Sequence, residues 1–283
     1  MSLLHHIRAC NAWEAADFLP LRHRGVRLGW VRRDNAERLR RFPAAFAVGA
    51  TAVDIVAPGD RNELTARIDD VVHRLAAEGA VAAYRREFFA VAERRDAPPR
   101  FDLDRGAVPF FGARAYGVHL NGWRREGETL KLWIGRRAPG KLVAPDKLDN
   151  LVAGGIGRDH GLFETLLKEG EEEAAMPRDL TSRAVPAGAI SYRMATPDGM
   201  RDDVLFVYDL EIPAEFTPRN TDGEIVSFTL MDAMDVVARV RDSDDFKFNV
   251  NLVVIDFALR HGLVRPDDPD YLDLVIGLHR PID

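Results

Sequence analysis

Within Gly154–Met176, GGIGRDHGLFETLLKEGEEEAAM, the carboxylates of Glu169, Glu171, Glu172 and Glu173 are crowded together with only Gly170 between them. At about 100° per residue on a helix, Glu169, Glu172 and Glu173 share one face while Glu171 points elsewhere. Phe163, Leu166, Leu167, Gly170 and Ala174 form a separate apolar stripe, so the carboxylates are expected off the buried face. Like charges at this spacing cost a helix about 0.2–0.5 kcal/mol per pair, and its C-terminal half disfavours anions further. A hard divalent cation reverses both penalties, because carboxylate oxygens are the ligands that Mg²⁺ and Mn²⁺ prefer. The competing reading is a solvated acidic face. The glycine-rich turn directly upstream favours the metal.

Elements of both periods surround this stretch. ARAYGVHLNGWRR and ETLKLWIGRR alternate like two strands joined across Glu126 and Gly127, an antiparallel hairpin. Arg136 and Arg137 close the second strand, and a loop carrying Lys141 and Lys147 delivers the chain into LVAGGIG. After the acidic helix come three β-rich runs, AISYRM, DVLFVYDLEI and EIVSFTLM, then two helices, MDAMDVVARVRD and NVNLVVIDFALRHG, the second ending at Gly262.

The first hundred residues differ in character. Leu3 to about Phe18 reads as an amphipathic helix ended by Pro20, with His5 and His6 expected at the surface because adjacent helical residues point apart. RGVRLGWVRR, AVGATAVDIVA and YRREFFAVAE are strand candidates, and Asp34 opens a short helix that stops at Pro43. ELTARIDDVVHRLAAEGA is a periodic helix with Leu64, Ile68, Val71, Val72 and Leu75 on one face and Gly79 at its end. Arg94–Arg105, with its proline pair and mixed charges, reads as a linker, which gives an N-terminal α+β domain at 1–100 and a second domain at 101–283.

Composition narrows the function classes. The 283 residues can bury a large core, and a formal net charge of −6 gives no pull toward nucleic acid or an anionic membrane. Cys10 is the only cysteine, which excludes an intramolecular disulfide and a cysteine zinc site. Arg8, Glu14 and Asp17 interrupt the first twenty residues, and no apolar run approaches a membrane span, so a cytoplasmic protein is expected.

These residues resemble a Nudix (MutT-like) hydrolase box, in which a glycine, five residues, a glutamate and seven residues precede R-E-U-x-E-E-x-G-U, U being bulky and apolar. Gly154 falls on the first glycine, Lys168 on the arginine, Glu169 on the next glutamate, Glu172 and Glu173 on the E-E pair, and Met176 on the last apolar position. The spacing is intact. His160, Lys168, Gly170 and Ala175 depart from the pattern's glutamate, arginine, apolar residue and glycine. The segments GARAYGVHLNGW, KLDNLVAGGIG and DGEIVSFTLM are similar to the Nudix region of fungal thiamine pyrophosphokinase-related proteins. LGWV and YRREFFAVAE resemble the DUF4743-type domain that precedes it there.

The resemblance implies an α+β architecture, a Nudix α/β/α sandwich with a mixed β-sheet behind a small α+β N-terminal domain. It implies hydrolysis of an organic or nucleoside diphosphate with Mg²⁺ or Mn²⁺, the substrate being thiamine diphosphate or its oxidised analogues, cleaved to monophosphates. Gly154, Glu169, Glu172 and Glu173 would then hold metal, with Glu172, Glu173 and the downstream Glu224 serving catalysis and Lys168 orienting its neighbours. Arg136, Arg137 and Lys147 are the expected phosphate-binding cations. The N-terminal domain would cover the pocket or provide a homodimer surface. Two other readings use the same fold: a non-catalytic sensor of diphosphate ligands, motivated by His160, Gly170 and Ala175, and a diphosphate isomerase, disfavoured because Cys10 lies far from the box. No basic stripe with interleaved aromatics suggests nucleic acid.

Overall fold

The computed structural model describes residues 2–281. It begins with α1 (Leu4–Ala9), β1 (Phe18–His23), β2 (Val26–Arg32), α2 (Arg33–Leu39), β3 (Phe46–Val48), β4 (Val53–Ile55) and α3 (Arg61–Ala77). The hairpin strands β5 (Phe88–Val91) and β6 (Phe101–Asp104) and the short α4 (Val108–Phe111) complete the N-terminal unit. There follow β7 (Arg114–Glu126), β8 (Thr129–Arg137), β9 (Leu148–Asp149), β10 (Val152–Gly155), α5 (Leu162–Ala174), α6 (Arg178–Thr181), β11 (Val185–Thr196), β12 (Gly199–Glu211) and β13 (Ile225–Asp232). Three helices, α7 (Ala233–Asp242), α8 (Phe248–Arg260) and α9 (Tyr271–Leu278), end the chain.

The larger sheet runs β11-β12-β7-β8-β13, with β10 added to β7 and β9 to β8. It is mixed, because β12 and β7 are parallel while the other pairs are antiparallel. Strand alternation decides which layer covers which face. Leu205 and Val207 of β12, with Leu130, Leu132 and Ile134 of β8, pack under α7, α8 and α9. Tyr208 and Leu210 of β12, with Val118 and Leu120 of β7, pack against Leu166 and Ala174 of α5. The result is the expected three-layer α/β/α sandwich, with α5 alone on its face apart from the short α6.

The N-terminal unit has its own four-stranded sheet, β2-β1-β4-β3, and its own apolar cluster, which runs from Leu19 to Ala113. In α3 the residues Leu64, Ile68, Val71, Val72 and Leu75 are buried as their spacing requires, behind a capping box of Asp60 and Glu63.

Several local expectations fail for identifiable reasons. The first helix stops at Ala9 because the Asn11 side chain donates to the Ile7 carbonyl (2.9 Å) and ends the ladder. Pro20 lies inside β1, where β4 joins only from Leu21 onward, so a missing N–H is tolerated. His6 of the first helix does not point into solvent. It is 5% exposed, bonded to the Val240 carbonyl (2.6 Å) and to Asn251 Nδ2 (3.0 Å), and the half-buried His5 ring lies tilted 3.8 Å from it. The reason is that Leu3, Leu4, Ile7 and Cys10 pack into the cluster under α7–α9 and not against the N-terminal sheet. The linker reading of Arg94–Arg105 also fails at its end. Phe101–Asp104 is a wholly buried strand paired with β5.

Candidate active site

The acidic helix sits where a free strand edge meets it. Residues of β10 pair with β7 in the order Val152↔Leu120, Ala153↔His119, Gly154↔Val118. Alternate peptide groups therefore point away from β7, and the Ala153 N–H is taken by Glu173 Oε2 at 2.8 Å. Glu169 lies one turn earlier on α5, against Gly154. A Cβ at Gly154 would stand 2.3 Å from Glu169 Cγ, so the absent side chain is what admits this carboxylate. Glu172 faces out and accepts from Lys168 Nζ at 2.6 Å, and Lys168 also reaches Glu169 Oε1 at 3.5 Å. Glu171, on the far side, pairs with Arg178 at 2.9 Å.

The expectation that all the carboxylates avoid the buried face is wrong for Glu173, which is 3% exposed, while Phe163 of the supposed apolar stripe is 41% exposed. The helix is rotated so that Thr165, Leu166, Gly170, Glu173 and Ala174 point inward. Gly170 lies against α6, where a Cβ would stand 3.0 Å from Thr181 Oγ1, so Thr181 fills the space that the family pattern gives to a bulky residue.

Ala175 closes the helix in the left-handed region, φ 52° and ψ 33°, where the family pattern has glycine. An L-residue is strained there. Ala175→Gly is expected to stabilise the fold by about 0.5–1 kcal/mol, after allowing for the added freedom of the unfolded chain. A urea midpoint that stays put or falls would show that the turn carries no such strain.

Electrostatics draw the carboxylates into one cluster. Burial pushes Glu173 well above the ordinary carboxylate range; its bond to Ala153 N–H opposes this, and the charges of Asp149, Glu169 and Glu224 add to it. Burial also raises Glu169, against the pull of Lys168 and with the push of Glu172. Glu224, just before β13, feels burial upward but is held below its usual value by Lys141, bonded to it, and by Arg105 and Arg137 beyond. Among the described residues Glu173 has one hydrogen bond, which leaves its second oxygen free to act as a donor to a cation. Buried and half-buried carboxylates with raised pKa values beside a glycine backbone are a hard oxygen donor set, and they fit Mg²⁺ or Mn²⁺. No three carboxylate oxygens here approach as closely as the donor atoms of His5, His6 and Asp244, which lie within 4.8 Å of one another, since Glu172 is drawn to Lys168. That histidine group does not suit a metal, because both ring nitrogens of His6 already hold protein partners.

The expected phosphate-binding cations are placed elsewhere. Arg137 is 6% exposed and donates to Asp149 (2.7 Å) and to the Ala144 and Val143 carbonyls (3.0 and 2.9 Å), so it is structural. Arg136 is paired bidentately with Asp146 (2.8 and 2.7 Å), and Lys147 donates to the Asp244 carbonyl (2.6 Å). Both line a groove with Arg239 of α7, on the opposite side of the sheet from α5. Adjacent strand residues project to opposite faces, and consecutive arginines could not both reach the acidic side.

A buried polar network that the sequence did not reveal lies beneath the site. Asp149 is 1% exposed and meets both Arg137 and Lys247, the latter at 3.6 Å. Desolvation lowers the pKa of Lys247, with Asp149 acting against it. His119 is brought down to about 4 by burial and is neutral, hydrogen-bonded through Nδ1 to Asn150 Oδ1 (2.8 Å). Asn150 continues to Asn121 (2.9 Å), and Asn121 to Asp209 (3.0 Å). The one available signal was the polar pair Asp149–Asn150 in KLDNLVAGG, at the point where an apolar strand begins.

Residues 2–115 match a family model described as a domain of unknown function, DUF4743. Nudix hydrolase 20, chloroplastic, of Arabidopsis thaliana is 37% identical over 284 residues, 95% of this chain and 75% of that protein. The chain belongs to the Nudix hydrolase family. As a Nudix hydrolase it is an enzyme of diphosphate cleavage, and the family works with a divalent metal. Nudix hydrolase 24, chloroplastic, of the same plant is 36% identical over 278 residues, 96% of this chain and 76% of that one. An uncharacterized Saccharomyces cerevisiae protein is 33% identical over 238 residues, covering 78% of this chain and 68% of its own. Among solved structures, the Nudix domain of Shewanella oneidensis NrtR, complexed with ADP ribose, covers 57% of this chain and 94% of its own at 15% identity, with a TM-score of 0.42. A Caenorhabditis elegans Ap4A hydrolase covers 53% and 99% at 9% identity, TM-score 0.40. Among the described residues no helix is long and apolar enough to cross a membrane.

Proposed function

We propose that this Nudix hydrolase holds Mg²⁺ or Mn²⁺ on Glu169, Glu172, Glu173 and the Gly154 carbonyl, and cleaves a small organic diphosphate to a monophosphate. The observation that carries the reading is the buried Glu173 carboxylate, held by a single N–H and crowded by Glu169, Glu224 and Asp149. Burying such a group without a cation is costly, and a folded chain that keeps it there gains when a divalent ion arrives. The bound metal would neutralise the phosphates and activate water. The chain's own residues do the rest. Glu173 is anchored by Ala153, Lys168 restrains Glu169 and Glu172, and Glu224, half exposed and kept ionised by Lys141, is the base able to take a proton from the attacking water.

The proposed substrates are thiamine diphosphate and its oxidised forms, in a cytoplasmic setting, and what supports them is the run of segments shared with the thiamine-related branch. We place the domain boundary near residue 113 instead of 100, since the N-terminal apolar cluster runs through Ala113. A panel of thiamine, oxythiamine and oxothiamine diphosphates with ADP-ribose, assayed with Mg²⁺ and Mn²⁺ for monophosphate release, ranks the substrates. Release from none of them would favour the sensor reading, which the departures at His160 and Ala175 motivate.

A further inference from the structure

The glycine turn of the acidic site is not covered by its own unit. Phe89 of β5 lies on it, with Cζ 2.7 Å from where a Cβ of Gly155 would be, and the Arg158 N–H donates to the Phe88 carbonyl at 2.8 Å. Arg158 also stacks 5.0 Å over the Phe88 ring and stands 3.6 Å from Asp102 of β6. This hairpin is rooted in the N-terminal core, where Phe89, Val91, Phe101 and Leu103 pack with the apolar face of α3. Its docking therefore fixes the N-terminal unit beside Gly154.

Arg105 leaves the end of β6 at this junction. Its backbone is held firmly: its N–H donates to the Glu87 carbonyl at 2.7 Å, and the buried Asp104 carboxylate accepts from Arg85, Arg86 and Gly106. The guanidinium lies 5.8 Å over Phe89, the residue that touches Gly155, and pairs with Glu87 at 2.8 Å. Its side chain is half exposed, and through Phe89, which lies against Gly155, it stands beside the glycine turn of the acidic site.

A diphosphate carries negative charge into a pocket that is already acidic, and a side-chain cation would hold it beside the metal. Lys168 is held by Glu172 and Glu169, Lys141 by Glu224, and Arg137 is buried against Asp149. The Arg105–Glu87 pair is exposed on both sides, and such pairs are weak and easily exchanged. A phosphate offers the same guanidinium a charge-assisted, bidentate partner. We infer that Arg105, from the N-terminal unit, is a phosphate-binding residue of this site, so that the active site is built from both units. The inference rests on the metal–diphosphate reading above for its substrate class.

Calorimetry of the full-length chain loaded with Mg²⁺, titrated with the non-hydrolysable methylenediphosphonate, tests it. Arg105→Ala is expected to weaken binding about tenfold or more, Arg105→Lys to recover part of that, and Glu87→Gln to bind as well as the parent or better. Melting of Arg105→Ala should stay within about 2 °C of the parent, because it loses a half-exposed ion pair and a loose contact over the Phe89 ring. Mn²⁺ affinity by electron paramagnetic resonance should be unchanged or tighter once a nearby cation is gone. Parent-like binding by Arg105→Ala, or an equal loss in Glu87→Gln, would overturn the assignment. If the parent itself takes up no Mn²⁺, the metal reading fails on its own. The same variants titrated without metal then still decide Arg105, since parent-like binding again overturns it and a selective loss upholds it.

Discussion

Glu173→Gln is expected to cut turnover by about 10³-fold or more while melting no lower than the parent protein. The amide keeps the shape of the side chain and an oxygen to accept from Ala153 N–H (2.8 Å), so packing and the β10 contact survive. It removes the anion that binds metal. It also removes a buried charge whose pKa burial has raised, so the metal-free variant gains stability at neutral pH. For a carboxyl whose folded pKa lies above its unfolded value of about 4.3, the folded form binds more protons, and the stability it contributes is complete below that value. That stability is lost as pH rises through the folded pKa. The metal-free parent should therefore melt progressively lower above about pH 5, with a shallower slope in Glu173→Gln, and Mg²⁺ should restore the parent alone. Asp209 behaves in the opposite way in a separate window: burial raises it, but His261, Arg260 and Asn121 hold it at about 2, so its contribution is lost only as pH falls toward that value. Full activity in Glu173→Gln would sink the metal assignment, and a large fall in melting temperature would mean its effect is structural.

Arg137→Ala is expected to cost stability and not substrate affinity. Removing the guanidinium strands Asp149, which is 1% exposed and left with Lys247 at 3.6 Å and the Asn150 N–H at 2.9 Å. Breaking a buried pair in this way costs about 3–5 kcal/mol, and Lys247 should keep the loss toward the lower end. Urea denaturation followed by tryptophan fluorescence reads it directly. If stability held and KM rose instead, Arg137 would be a phosphate ligand after all and the structural role given to it would be wrong.

Much of the fold was legible because periodicity reports burial locally. The face of α3, the β7–β8 hairpin and, after Ala184, the three strands with α7 and α8 follow from alternation and turn residues, whereas the short α9 went unforeseen. Short elements were less legible. Phe101–Asp104 has all four residues buried, so it shows no alternation, and its prolines and charges imitate a linker. His6 looked like a surface residue because nothing nearby in sequence reveals that Val240 and Asn251 would meet it.

Residue type and spacing within one helix are local properties, and they were enough for the acidic helix, its register with the glycine turn, and the chemistry its carboxylates suit. Which carboxylate is buried was settled by packing, because the rotation of α5 is set by what β10 and α6 present to it. The packing alone took Arg136 and Lys147 to the far face of the sheet, turned Arg137 inward onto Asp149, and set Arg105 of the N-terminal unit over the Phe89 ring that touches Gly155. Such convergence depends on contacts between residues distant in the chain, which no local pattern encodes.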